Sequence, residues 1–246
     1  KYLLNICEDC SGNFATNFGL SASKDFKKYA WRAEYGRIIS NGSVGQFSLG
    51  FSFFLILLLL NRLKFVKDEV ITLIKNSIDP LELLSNELET TKNSLLAIAE
   101  QIHATCPIIY GSEDLTWVAA LRFRGQLAEN AKMLSFHHHF PEQNHNEIEG
   151  WTVNPEIMNK FSIIWLKDEG DHHGIKSRMN ISSSLLESCA GKQLTITQQG
   201  ANRVERLLKL IHYTDWVSYY TALLNNVDPT PVNRIQELKS KIAESI

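Results

Sequence analysis

Apolar residues in the second half of the chain recur with two different periods, and the alternation between them outlines a fold. Short apolar runs bounded by turn residues read as strands: PIIYGS from Pro107, FSIIWL from Phe161 and QLTITQQ from Gln193. Stretches of helical spacing lie between and after them, over Asp114–Lys132, from about Ile175 to Ser188, and over Asn202–Asn225. In the last of these, Val204, Leu207, Leu208, Ile211, Val217 and Tyr220 mark a buried face. Strand followed by helix, repeated, predicts a parallel sheet covered by helices. The stretch from Lys132 to Trp151 breaks the pattern and reads as a polar region. After DPTP, Val232, Ile235 and Leu238 predict a closing amphipathic helix that ends near Ile246.

The part ahead of this alternation is helical in pattern. Leu95, Ile98, Ala99 and Ile102 form a stripe, Pro80 marks a helix start, and VKDEVITLIKNSI is amphipathic. The run Phe51–Leu60 is apolar throughout but too short to span a bilayer, which takes about 18 residues or more, so a fully buried core helix is expected. At the front, KYLLNICEDC reads as a buried strand that ends in the turn Ser11–Asn13, the position where parallel α/β folds place ligands. Phe14–Ser43 carries a weaker pattern, helical over SKDFKKYAWRAEY and a short strand at GRIIS. The opening Lys1 does not read as a natural start, and further residues upstream are expected.

Composition narrows the class. With 246 residues, 44% hydrophobic and 21% charged, the chain can bury one or two substantial cores. A net charge of −2 with scattered lysines and arginines leaves no basic stripe for a phosphate backbone, so nucleic acid is not an expected partner, and no membrane association is expected. No secretory leader is evident and the four cysteines make no disulfide framework, which points to the cytoplasm.

The polar block holds the candidate chemistry. Glu129 in ENAK and His145 in NHNE pair a carboxylate with an imidazole, the two side chains best suited to exchanging protons near neutral pH. His137, His138 and His139, with His172 and His173, are a weaker candidate for metal, because adjacent histidines point in different directions and no HExxH spacing occurs. Cys7 and Cys10 precede no helix of thioredoxin type, and Ser11 lacks the GxSxG setting of a nucleophile.

These segments carry a resemblance. QLAENAK, PEQNHNEIEGW, the DHHGIKSR stretch and the terminal DPTPV resemble the bifunctional phosphoglucose/phosphomannose isomerases, which consist of two sugar-isomerase (SIS) domains. The match is specific from about Tyr110 onward, and SGN with the later LGFSFF extends it weakly to the front. The resemblance implies that Glu129 is the base moving a proton between C1 and C2 of an open-chain sugar phosphate. It implies that His145 assists ring opening, reaching into a neighbouring subunit, and that Lys239 is the family's C-terminal lysine. Ser11 and Asn13 fall in its phosphate loop, and no metal or cofactor is required. Two departures stand out: Asp9 and Phe14 replace family hydroxyls, and Gln46 replaces the arginine that offsets enediolate charge.

The expectation is therefore an α/β protein of two SIS-like αβα lobes with parallel sheets, the first incomplete. The expected division is residues 1–86 for the partial first lobe and linking helices, 87–228 for the second lobe, and 229–246 for a helix near the active site. The expected activity interconverts glucose 6-phosphate, and mannose 6-phosphate, with fructose 6-phosphate through a cis-enediolate in a homodimer. A non-catalytic sugar-phosphate-binding or regulatory SIS module, suggested by Gln46 and Phe14, is the alternative, with a histidine-rich metalloprotein a more distant one.

Overall fold

The computed structural model describes residues 49–90 and 92–245. The expected opening strand, Cys7, Cys10, Ser11, Asn13 and Gln46 lie outside the described residues. The chain divides into a unit of residues 1–78 and a unit of residues 79–246.

In the first unit, α1 (Leu49–Arg62) and α2 (Asp68–Asn76) are helices. The apolar run forms α1 but is not fully enclosed as its composition predicts. Phe54 is buried, whereas Phe53 and Ile56 are exposed and Leu57 to Leu60 are half-buried. A helix that is apolar all round needs neighbours on every side, and full burial does not follow from the composition alone. Among the described residues no helix is long and apolar enough to cross a membrane.

Helix α3 (Ile78–Thr90), of which all but the first residue belongs to the second unit, and α4 (Lys92–Ile102) are followed by β1 (Cys106–Ser112) and α5 (Trp117–Glu129). Next come β2 (Phe136–Phe140), two 3-10 turns, Glu142–Asn144 and Glu147–Thr152, the short α6 (Pro155–Met158) and β3 (Phe161–Leu166). Then follow α7 (His173–Leu185), β4 (Lys192–Ile196), α8 (Arg203–Leu224) and α9 (Asn233–Glu244). The four strands form one parallel sheet in the order β2-β1-β3-β4. Its register sets Ile109 between His137 and Ile164, and Tyr110 between His138 and Trp165. The protein is thus an α/β structure with a parallel sheet.

Successive strand side chains point to opposite faces, and here both faces are apolar at the centre. Ile109, Ile164, Leu166, Leu194 and Ile196 pack with Leu95, Ala99 and Ile102 of α4, Phe123 and Leu127 of α5, and Leu210 and Val217 of α8. Tyr110, Ile163 and Trp165 pack on the other face with Phe140, Trp151, Met179 and Leu186. Each fully buried large side chain of this kind contributes about 1.5–3 kcal/mol.

Three details differ from the sequence pattern. The block read as polar contains β2, whose histidines are half-buried at the sheet edge. The helix expected over Asp114–Lys132 is shorter, because Ser112 N–H donates to Thr116 Oγ1 at 2.7 Å in the turn before it and Lys132 takes a left-handed φ of 56° after it. On α8 the fully buried face includes Thr214, Ser218 and Thr221, which apolar spacing does not reveal. Their hydroxyls are satisfied within the helix, Thr214 by Leu210 O at 3.0 Å, Ser218 by Asp215 O at 2.7 Å and Thr221 by Val217 O at 2.7 Å, so they can face the core.

Two glycines separate a packing requirement from a mere absence of side chain. A Cβ on Gly111 of β1 would lie 2.7 Å from both Thr116 C and Trp117 N, the backbone that starts α5. One on Gly125, inside α5, would meet nothing within 4 Å. Gly111→Ala is expected to destabilise by about 1–3 kcal/mol or more. Gly125→Ala is expected to stabilise by roughly 0.5–1 kcal/mol. Urea denaturation of both variants checks the opposite signs.

Candidate active site

ENAK sits where α5 ends. Glu129 is its last residue, half-buried, and its carboxylate has no hydrogen-bond partner among the described residues. The three residues that follow are all tied down. Asn130 is fully buried and donates from Nδ2 to Ser218 Oγ at 2.8 Å. The carbonyl of Ala131 accepts from Asn225 Nδ2 at 2.9 Å. Lys132 donates from Nζ to Pro231 O at 2.7 Å, to Pro229 O at 3.3 Å and to the carbonyl of Glu129. Partial burial lowers the Lys132 pKa, while the carboxylates of Asp228 and Glu129 oppose the shift.

NHNE is built on the same plan. His145 caps the 3-10 turn Glu142–Asn144, its backbone N–H donating to Glu142 O at 2.9 Å. Its ring is exposed and has no hydrogen-bond partner among the described residues. Asn144 Nδ2 donates to Ser182 Oγ of α7 at 2.7 Å and to Gln143 Oε1 at 2.9 Å. Asn146 Oδ1 accepts from Glu147 N–H at 2.6 Å, and its Nδ2 donates to Glu142 Oε1 at 3.0 Å. Glu147 reaches the core, where its Oε1 accepts from Tyr110 OH at 2.5 Å, and Trp151 Nε1 donates to the same phenol oxygen at 3.1 Å. Burial, reinforced by the Glu147 charge, pushes the Tyr110 pKa far up, so the phenol stays a donor.

No hydrogen bond or ion pair joins the two groups among the described residues, and the elements that carry them pack on different faces of the sheet. Glu129 belongs to the helical layer on the Ile109 and Ile164 face. The segment that carries His145 packs on the opposite face, with Tyr110 and Trp165. Lys239 is exposed on α9, and α9 starts just after the Pro229–Pro231 linker that Lys132 holds against the end of α5. Glu129 and the base of the Lys239 helix therefore share one end of the structure.

At the carboxyl end of β1 the polar side chains are paired with one another. Ser112 Oγ donates to Asp171 Oδ1 at 2.6 Å, and Asp171 Oδ2 accepts from Asp168 N–H at 3.1 Å. Arg206 pairs with both carboxylate oxygens of Asp168, at 2.6 and 3.0 Å, and lies 3.4 Å from Glu169. Burial raises the Asp171 pKa. Strand alternation turns His138 to the Tyr110 face, 3.9 Å from Glu147 Oε2, and His139 to the Trp117 side. His172 caps α7 by accepting from Gly174 N–H at 3.2 Å.

Comparison with known proteins fixes the family. The family model for the bacterial phospho-glucose isomerase C-terminal SIS domain matches residues 91–242. The chain belongs to this family. A protein of Aquifex aeolicus named bifunctional phosphoglucose/phosphomannose isomerase is 35% identical over 204 residues, 83% of this chain and 60% of its own length. One of the same name from Caldicellulosiruptor bescii is 32% identical over 245 residues, 98% of this chain and 72% of its own length. The chain thus spans 60% of the first relative and 72% of the second. The C-terminal domain of glucosamine-fructose-6-phosphate aminotransferase from Francisella tularensis shares the fold, with a TM-score of 0.54 at 11% identity over 76% of this chain and 54% of that one.

In this SIS domain the residues that support Glu129 and His145 are mostly ones that sequence alone leaves silent. Asn130 and Lys132 stand in a quoted motif but give no sign of their partners, and Tyr110 reads only as a strand residue. The Tyr110–Glu147 bond links the floor of the domain to the His145 segment. Tyr110→Phe is expected to cost about 1–3 kcal/mol in stability. It should also speed amide exchange over residues 142–151, read by mass spectrometry; wild-type values in both would refute the role given to this bond.

Proposed function

We propose that this chain acts as an aldose–ketose isomerase, interconverting glucose 6-phosphate, and mannose 6-phosphate, with fructose 6-phosphate. One observation carries the reading. Every polar side chain of ENAK and NHNE but two is bonded to the scaffold, and the two without a hydrogen bond among the described residues are the Glu129 carboxylate and the His145 imidazole. The names of the relatives, phosphoglucose/phosphomannose isomerase, point to the same chemistry.

In this reading the imidazole of His145 takes the proton from the O1 hydroxyl of the cyclic sugar and delivers it to O5 as the C1–O5 bond breaks. Glu129 then removes the proton from C2, giving a cis-enediolate, and returns it to C1 while a proton passes from O2 to O1 and the C2 carbonyl forms. A cis arrangement keeps both carbons on one face, so one base serves both transfers. Lys239 approaches the sugar phosphate from the final helix, and Ser11 and Asn13 contribute to phosphate binding, with Gln46 where the enediolate charge must be met. Neither metal nor cofactor takes part.

The packing of the elements that carry Glu129 and His145 on different faces of the sheet supports a site completed by a second copy of the chain, and hence a homodimer. The reading includes a cytoplasmic location and a division into a first lobe over residues 1–86, a second over 87–228 and a site-facing helix over 229–246.

Coupled assays on fructose 6-phosphate test the activity. Glu129→Gln is expected to lower kcat by about 10²–10⁴-fold. Binding without turnover in the wild-type protein would instead favour a regulatory sugar-phosphate-binding module, the reading suggested by Gln46. Co-expression of Glu129→Gln with His145→Ala tests sharing between subunits. Random pairing puts half the dimers in mixed form with one intact site of two, so about a quarter of wild-type activity should return; no return would place both groups in one subunit's site.

A further inference from the structure

Lys132 takes no part in the proposed chemistry, yet it is the most unusual residue of ENAK. Its backbone lies in the left-handed region, φ 56°, where non-glycine residues are uncommon. A lysine has no backbone advantage there, so a turn alone would favour glycine or asparagine. Its ammonium instead gathers three main-chain oxygens, those of Glu129, Pro229 and Pro231. An ammonium has three donors and no acceptor, which matches three carbonyls. Neither proline has an N–H with which to enter secondary structure, so the linker between α8 and α9 depends on its carbonyls and side chains to be held. Asp228 helps by accepting from Thr230 N–H at 2.8 Å, and its charge, like that of Glu129, favours the protonated lysine.

We infer that Lys132 is a positioning residue: by clamping the Pro229–Pro231 linker to the end of α5, it fixes the start of the helix carrying Lys239 relative to Glu129. The clamp joins the C-terminal end of α5 to the linker over a sequence separation of 99 residues at Pro231. Asn225, donating to the carbonyl of Ala131, fixes the other side of the same junction, so the linker has a fixed origin and Lys132 sets its direction. The catalytic part of the inference rests on the isomerase reading; the clamp itself does not.

The test compares Lys132→Met, which keeps the stem and removes the charge, with Lys132→Gly, which suits the left-handed backbone and removes the clamp. Lys132→Arg is a partial rescue, and Lys241→Met serves as a surface control on α9. Amide exchange over residues 226–240 and steady-state kinetics on fructose 6-phosphate are read on the full chain. For Met and Gly alike, exchange in the linker and first turn of α9 should rise at least tenfold. For both, kcat should fall about tenfold or more, with KM within a few-fold, part of the loss recovered by Arg, and Lys241→Met like wild type. Unchanged exchange would overturn the clamp. Faster exchange with unchanged kcat would overturn positioning. A glycine variant equal to wild type in both would show that the residue serves only the turn. Wild-type protein lacking isomerase activity would remove the functional reading and the catalytic part with it, while the exchange result would still decide the clamp.

Discussion

The alternation of side chains along β1 and β3 is the constraint on which the second unit depends. Ile163 and Ile164 are adjacent in sequence, yet they belong to different cores, and so do Tyr110 and Ile109. A parallel sheet with both faces apolar must be covered on both sides. Helices α4, α5 and α8 cover one face, while α7 and the irregular segment after β2 cover the other. A one-residue slip of β3 would exchange Trp165 for Ile164 or Leu166 and pack neither layer. The register therefore determines on which side of the sheet each candidate group lies.

From this follows the different support given to the two groups. Glu129 ends a regular helix, and its neighbours lock that end by hydrogen bonds to α8 and to the linker beyond it. His145 lies in a segment of 3-10 turns with few backbone bonds of its own, so side chains must hold it. Tyr110 supplies the anchor from below, through Glu147, and Ser182 supplies one from α7, through Asn144. In each case a polar side chain from a rigid element makes irregular backbone definite, and the ionisable group it supports stays uncommitted.

How much of this was legible in the sequence depends on whether the signal was local. The strands FSIIWL and PIIYGS and the helix after Asn202 stand out by period and caps, and Asn202 indeed accepts from Val204 and Glu205 N–H at 3.0 Å. Strand β2 did not stand out, because its three central residues are histidines and a sheet edge imposes little apolar pattern. The full burial expected of the Phe51–Leu60 helix overstated what composition alone can fix. Glu129 and His145 stood out as candidates because a carboxylate and an imidazole are the side chains suited to proton exchange near neutral pH. Their supports did not, since Asn130–Ser218 and Tyr110–Glu147 join residues far apart in the chain, a relation that only the folded register creates.

The mouth of the sheet is where fold alone would place a ligand. Open α/β sheets receive ligands beyond the carboxyl ends of their strands, and an anion there gains from the helix N-terminus that follows. Here β1 ends at Ser112, whose hydroxyl is taken by buried Asp171, and the turn continues with Glu113 and Asp114. Arg206 is already paired with Asp168 in a bidentate bond and lies beside Glu169, and Arg203 donates to the carbonyl of Asp114. A phosphate entering beside β1 would meet carboxylates, and would have to displace an ion pair to reach Arg206, a cost that a single helix terminus does not offset. The turn after β1 is thus tied by its own polar pairs. Of the two candidate groups, His145 follows β2 at this same carboxyl end of the sheet, since β2 runs parallel to β1, whereas Glu129 ends α5 on the way back to the amino ends of the strands.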